Sequence, residues 1–137
     1  MFIQELNKNE LIAFMNLLSE FASTDNVIKK EEKVLINEYS SKANLSSDEM
    51  NKMTYEESIQ VIKNSSERII NIVYLELVRV GLIDGECQLE EIDFLEKLTA
   101  DLGISRSKKL QVANFFYKFS DLNKESAEMK DEASKIL

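Results

Sequence analysis

Apolar residues recur at helical spacing along nearly the whole chain. Leu11, Phe14, Met15, Leu18, Phe21 and Ala22 follow the i, i+3, i+4, i+7 rule and form one stripe. Asn7 followed by Glu10 supplies an N-cap and its reciprocal partner for that helix. Val34, Leu35, Ile36, Tyr39 and Ala43 mark a second helix, ending near Asn44. Ser46 with Glu49 opens a short helix, and Thr54 with Glu57 opens one through Ile59, Val61 and Ile62. Asn64 with Glu67 is read as the start of a long apolar helix reaching about Ile83. Phe94, Leu95, Leu98 and Leu102 define the next. Ser105 introduces another, carrying Leu110, Val112, Ala113, Phe115, Phe116 and Phe119. From about Asn123, the spacing of Ala127, Met129, Ala133, Ile136 and Leu137 predicts a last helix. Seven or eight helices in one all-α domain over residues 1–137 is the expectation, with no linker dividing it.

An internal repeat runs beneath this pattern. A shift of 59 residues lays Asp84 on Asp25 and aligns two segments without a gap, about 11–46 and 70–105. Phe21-Ala22-Ser23-Thr24-Asp25-Asn26 falls on Val80-Gly81-Leu82-Ile83-Asp84-Gly85, and Glu31-Glu32 on Glu90-Glu91. Leu35-Ile36 falls on Phe94-Leu95, Tyr39 on Leu98, and Ala43-Asn44-Leu45-Ser46 on Leu102-Gly103-Ile104-Ser105. Each copy reads as helix, turn, helix, and then the cap of a following helix. Two such hairpins are expected to pack about a pseudo-two-fold axis, because one alone cannot bury its apolar face. The helices of 106–137 follow them.

The three glycines refine the turns. Gly85 and Gly103 match Asn26 and Asn44, and asparagine is the non-glycine residue that best tolerates a left-handed backbone. Positions 26/85 and 44/103 therefore read as turn and helix-end sites. Position 22/81 is small in both copies, as a close helix approach requires.

Composition narrows the chemistry. There is no histidine and no proline in 137 residues, and Cys87 is the single cysteine. Imidazole-based nucleophilic catalysis and HExxH zinc sites are excluded. The net charge of −8 disfavours nucleic acid and anionic membrane surfaces, and leaves cations and basic proteins as partners. The most apolar run, Ile69 to Ile83, is 15 residues long and holds Glu76 and Arg79, too short and too charged to span a bilayer. Nothing at the N-terminus reads as a signal peptide, since Glu5, Lys8 and Glu10 interrupt the first apolar stretch, so a cytoplasmic location is expected.

The carboxylates carry what functional signal there is. Asp84, Gly85 and Glu91 have the spacing of positions 5, 6 and 12 of an EF-hand loop, but Val80 and Leu82 stand where its first ligands belong. A full EF-hand is rejected. Glu91 precedes Phe94 and Leu95 by three and four, which turns it toward the core, and Glu32 has the same relation to Leu35 and Ile36. Glu90 and Glu31, about 100° around the helix, face solvent. An inward carboxylate must be hydrogen-bonded, paired or bound to a cation. Two readings follow: Glu91 and Glu32 cap their own helix starts, or Asp25, Glu32, Asp84 and Glu91 converge as oxygen ligands for calcium, magnesium or manganese. The second copy, richer in acids, is the better candidate for a cation.

Leu82-Ile83-Asp84-Gly85-Glu86, Glu90-Glu91, Phe94-Leu95 and Leu102-Gly103-Ile104-Ser105, with the weaker copy from Ala22 to Ser46, resemble the TerB-like (tellurite-resistance protein B-like) family. The resemblance covers roughly residues 8 to 120. It implies an all-helical, pseudo-symmetric domain of about seven helices and acids suspected of chelating metal. It also implies a bacterial setting linked to tellurite resistance or stress response. The suspected ligands fall on Asp84 and Glu91, and less directly on Asp25 and Glu32; Asn26 and the lysines around it depart from the family's pattern.

Other residues read as structural. Cys87 sits among acids that hold its thiol protonated, and it matches Ile28 as a small apolar residue. Arg106, Lys108 and Lys109 form a solvated basic helix start. Phe115, Phe116, Tyr117 and Phe119 are too broad a set for one stripe, so part of it is available to a partner helix or a second protomer. No enzymatic constellation is present. The expectation is a non-enzymatic helical module that binds a divalent cation, or alternatively a protein-interaction adaptor whose acids are structural caps.

Overall fold

The computed structural model describes residues 1–24, 30–45, 47–50, 53–83, 87–119, 121–122 and 124–137, without the side chains of 31, 32, 47 and 50. Among them there is no strand. A 3-10 turn at Ile3–Glu5 precedes α1 (Lys8–Ala22), α2 (Lys30–Ala43), the single turn α3 (Ser47–Met50) and α4 (Tyr55–Lys63). Then follow α5 (Glu67–Leu82), α6 (Leu89–Leu102), α7 (Arg106–Lys118) and α8 (Ala127–Ile136). Seven of these helices have nine residues or more, so the all-α expectation holds.

The helices start where polar side chains can satisfy their first N–H groups. Asn7 Oδ1 accepts from Glu10 N at 2.8 Å while Glu10 Oε1 accepts from Asn7 N at 2.9 Å, the reciprocal cap read from the sequence. Thr54 and Glu57 repeat it on α4. Ser105 and Ser126 cap α7 and α8. One start is corrected: Ser66, not Asn64, caps α5, its Oγ accepting from Ile69 N at 3.2 Å. Asn64 cannot serve, because its own N–H closes α4 onto the Gln60 carbonyl and holds its backbone at φ −82°, ψ −2°. An N-cap needs the extended backbone that Ser66 has, at φ −65°, ψ 157°. The Ser46 cap, and the turn residues Asn26 and Gly85, lie outside the described residues.

Asn44 and Gly103 both adopt the left-handed conformation just past a helix end, at φ 51° and φ 70°. Gly81 answers a different need. A Cβ on it would lie 2.9 Å from Cζ of Phe21 and 3.2 Å from Sγ of Cys87, so α1 and α5 meet through its missing side chain.

Two helices form the centre. α1 packs chiefly on α4 and also touches α2, α5 and α6, with Phe14, Leu17, Leu18 and Phe21 fully buried. α5 buries Ile72, Val73, Leu75, Leu77 and Val80. A helix apolar around most of its circumference belongs in an interior, which is where both lie. Ring pairs join the layers, Phe14 with Tyr39 at 5.6 Å and Phe21 with Phe94 at 5.5 Å. α7 and α8 pack on one another. Among the described residues, no helix is long and apolar enough to cross a membrane.

Candidate functional site

Of the four suspected ligands, the structure describes one side chain. Glu91, 1% exposed in the first turn of α6, faces the core as its spacing requires. Its Oε1 accepts from the Gln88 backbone N–H at 3.1 Å, the bond of a helix-start cap. Glu90 is exposed, as its place around the helix requires. Asp25 and Asp84 lie outside the described residues, as do Glu86 and the side chains of Glu31 and Glu32. Among the described residues no group of three or more acid or cysteine side chains is placed to hold a metal ion.

A second cluster of charge escaped the sequence reading. Glu76 and Arg79, one turn apart on α5, are both buried, at 0% and 2% exposed. The α-amino group of Met1 donates to Glu76 Oε1 at 3.0 Å, and the Tyr39 hydroxyl from α2 donates to Glu76 Oε2. Arg79 Nη1 donates to Glu125 Oε1 at 2.8 Å and to Tyr39 Oη at 3.3 Å, while Nη2 donates to the Leu122 carbonyl at 3.0 Å. Met1 N also stands 3.4 Å from Glu125 Oε1. Two cations thus meet two carboxylates in the interior, the arrangement that buried charge demands.

The environment shifts the members accordingly. Burial, and then the negative charge of Glu76, push the Tyr39 hydroxyl well above its ordinary range, so it stays a donor. Burial alone raises Glu125, but the Met1 ammonium and Arg79 outweigh it and hold the carboxyl below its usual value. The available signal was an acid and a base at i, i+3 inside an otherwise apolar run: such charges must be paired inside the fold.

A third feature is open to solvent. Tyr74, Val78 and Leu82, at i, i+4, i+8 on α5, face Lys109, Val112, Ala113, Phe116 and Tyr117 of α7 across a cavity of about 320 Å³. Val112 and Phe116 are buried at its floor, and Tyr117 stands at its rim, 91% exposed. Lys109 Nζ reaches Glu96 of α6 at 3.3 Å, tying α6 to this groove. Leu89 and Ile92 share the helical stripe of Glu96 and are 67% and 45% exposed. The aromatic stretch of α7 divides as its breadth requires: Phe115 and Phe116 inward, Tyr117 outward.

No protein-family model, curated protein or solved structure matches the chain.

Proposed function

We propose that the chain is a non-enzymatic, TerB-like helical module that works by protein–protein contact, docking a basic amphipathic helix of a partner in the groove between α5 and α7. The observation that carries this reading is the open apolar groove itself, rimmed by Tyr117. A groove of this kind is the receptor of helix-in-groove recognition, where anchors at i, i+3, i+4 and i+7 enter an apolar trough. Charge selects the sign of the partner. On α7, Lys109 and Lys118 are engaged by Glu96 and Glu132, and Lys108 donates to the Ile136 carbonyl. Glu90 and Asp93, on the exposed surface of α6, have no ion pair among the described residues. With −8 on the whole chain, long-range attraction favours basic segments over acidic ones.

The TerB-like assignment is supported by the motifs quoted above. The proposed repeat is supported by matching helix ends, since Asn44 and Gly103 are both left-handed, and by matching interiors, since Phe14 and Val73, Leu18 and Leu77, and Tyr39 and Leu98 are all buried. A link to tellurite resistance or stress response rests on the resemblance. The cap bond of Glu91 favours structural acids over a cation held by Asp25, Glu32, Asp84 and Glu91.

The test is fluorescence anisotropy with a labelled Leu/Lys amphipathic peptide of about 18 residues, five turns of helix, and its Leu/Glu counterpart. The Leu/Lys peptide is expected to bind, more weakly as salt rises. Val78→Glu and Tyr117→Ser should each weaken it by roughly tenfold or more, with far-UV circular dichroism unchanged. Equal binding of both peptides, or affinities indifferent to the two substitutions, overturns the reading. So does a dimer of the chain that Val78→Glu dissociates, which would give the groove to a second copy.

A further inference from the structure

The buried charge cluster has a cavity above it that the proposed docking groove does not use. About 550 Å³ in volume, it is lined by Met1, Ile3, Leu6, Leu11, Lys42, Glu125 and Lys130, with Gln4 at its edge. That volume lies within the range of small-ligand pockets, about 300–1,000 Å³. Its walls are of two kinds. Met1, Ile3, Leu6 and Leu11 make up its apolar part, and Lys42 of α2 and Lys130 of α8 line it from two different elements.

The charge count decides what such a cavity can hold. Inside the fold, Arg79 and the Met1 ammonium balance Glu76 and Glu125. Glu125 is committed inward, at 2.8 Å from Arg79, and meets Lys130 only at 3.7 Å. Lys42 has its ion pair with Glu38 on its own helix, both side chains about half exposed, a contact that solvent makes weak. With Glu38 counted against Lys42, the two lysines leave one positive charge in excess over an internally neutral cluster, on a chain whose overall charge is −8.

The wall is also fixed in place. Arg68 grips Glu5 through Nε at 2.8 Å and Nη2 at 3.0 Å, and its guanidinium lies 5.7 Å from the Phe2 ring centroid. This holds the N-terminal turn against α5, so the apolar side of the cavity is formed before any ligand arrives.

The geometry points to this cavity as a binding site for an anionic amphiphile, a medium-chain monocarboxylate whose tail lies against Met1, Ile3, Leu6 and Leu11 and whose carboxylate bridges Lys42 and Lys130. A carboxylate has two acceptor oxygens and suits two ammonium donors carried by two different helices. An unbranched tail suits a wall of aliphatic and thioether side chains, which offers it no hydrogen bonds.

Isothermal titration calorimetry of the full chain with sodium octanoate tests this, with octylamine and sodium acetate as controls. Octanoate is expected to bind and the controls to fail, since octylamine reverses the charge and acetate removes the tail. Lys42 and Lys130 are about half exposed, so K42A with K130A should fold as the parent does and weaken octanoate by about tenfold or more. Lys42→Arg with Lys130→Arg should keep most of the affinity. No octanoate binding, binding of octylamine as tight as octanoate, or an octanoate affinity unchanged in the double alanine variant each overturns the proposal. The groove variant Val78→Glu should leave octanoate affinity unaltered, which separates this site from the docking reading.

Discussion

Arg79 is the residue whose loss the interior should feel most. Replacing it by methionine keeps most of the apolar stem and removes the guanidinium. Three hydrogen bonds go with it, to Glu125, Tyr39 and the Leu122 carbonyl. What remains is two carboxylates, Glu76 and Glu125, sharing the Met1 ammonium inside the fold, with half-exposed Lys130 3.7 Å from Glu125. Breaking a buried ion pair by removing one partner costs about 3–5 kcal/mol, most of it the uncompensated charge left behind. At about 2.1 cal/mol/K of unfolding entropy per residue, a chain of this length loses roughly 3–4 °C of Tm per kcal/mol. The expected fall is therefore about 10–17 °C.

Urea unfolding followed by far-UV circular dichroism measures the loss as a lower midpoint at unchanged slope. Two further arms isolate the cause. Adding Glu76→Gln to Arg79→Met removes one orphaned charge, so the double variant should lose less than the two single losses summed. Lowering the pH should also narrow the gap between parent and variant. The folded Glu125 carboxyl is held below its unfolded value, so its contribution is present above the unfolded pKa and fades as pH falls through the folded one. The variant keeps the Met1 ammonium but lacks the part of that contribution due to Arg79, so it has less to lose on acidification. A loss under about 1 kcal/mol, additive double variants, or a gap that widens in acid would refute the reasoning.

Other consequences are open to the same measurements. Glu91→Ala should cost about 1 kcal/mol without any metal, because it removes the cap on Gln88 N; an unaltered metal-free stability, with loss of a calcium-dependent rise in Tm, would move Glu91 to the ligand reading. Gly103→Ala meets nothing within 4 Å, so its cost of about 1 kcal/mol comes from the backbone at φ 70°. Gly103→Asn should cost less than half as much, and equal losses would contradict the left-handed explanation. Gly81→Ala gains about 1 kcal/mol of helix propensity but drives a Cβ to 2.9 Å from the fully buried Phe21 ring, which packs on Phe94. Overpacking of about 1–3 kcal/mol should win, and a stabilised variant in a urea melt would show that the ring yields freely.

The elements that could be read in advance are those governed by residues close in sequence. The Asn7–Glu10 cap, the left-handed ends at Asn44 and Gly103, and the inward turn of Glu91 each depend on neighbours within four positions. Asn64 shows where this reasoning fails. Asn64–Glu67 and Ser66–Ile69 compete for one helix start, and the way α4 ends decides between them. The charge cluster was beyond reach for a related reason. Its members stand at positions 1, 39, 76, 79 and 125, and hydrophobic periodicity reports the face of a helix without naming what faces it. The presence of Glu76 and Arg79 in an apolar run argued correctly against a membrane span, and the same observation required that both find partners inside.

α5 connects the two sites proposed for this chain. Tyr74, Val78 and Leu82 turn one side of it to the groove, while Glu76 and Arg79, about 130° around on average, hold the cluster. The segment joining α7 to α8 is anchored to the cluster through Glu125 and Leu122, and α8 adds Met129 and Ala133 to the core and Lys130 to the cavity. α7 supplies the far wall of the groove, and it packs on α8. The placement of α7 and α8 against α5 therefore combines an apolar part with a charged one. The charged part fixes their position, since an ion pair of 2.8 Å loses its geometry with a shift that a methionine contact would absorb. This is a structural reason for a protein with so little evident chemistry to keep two carboxylates and two cations in its interior. They define where one wall of each recess stands.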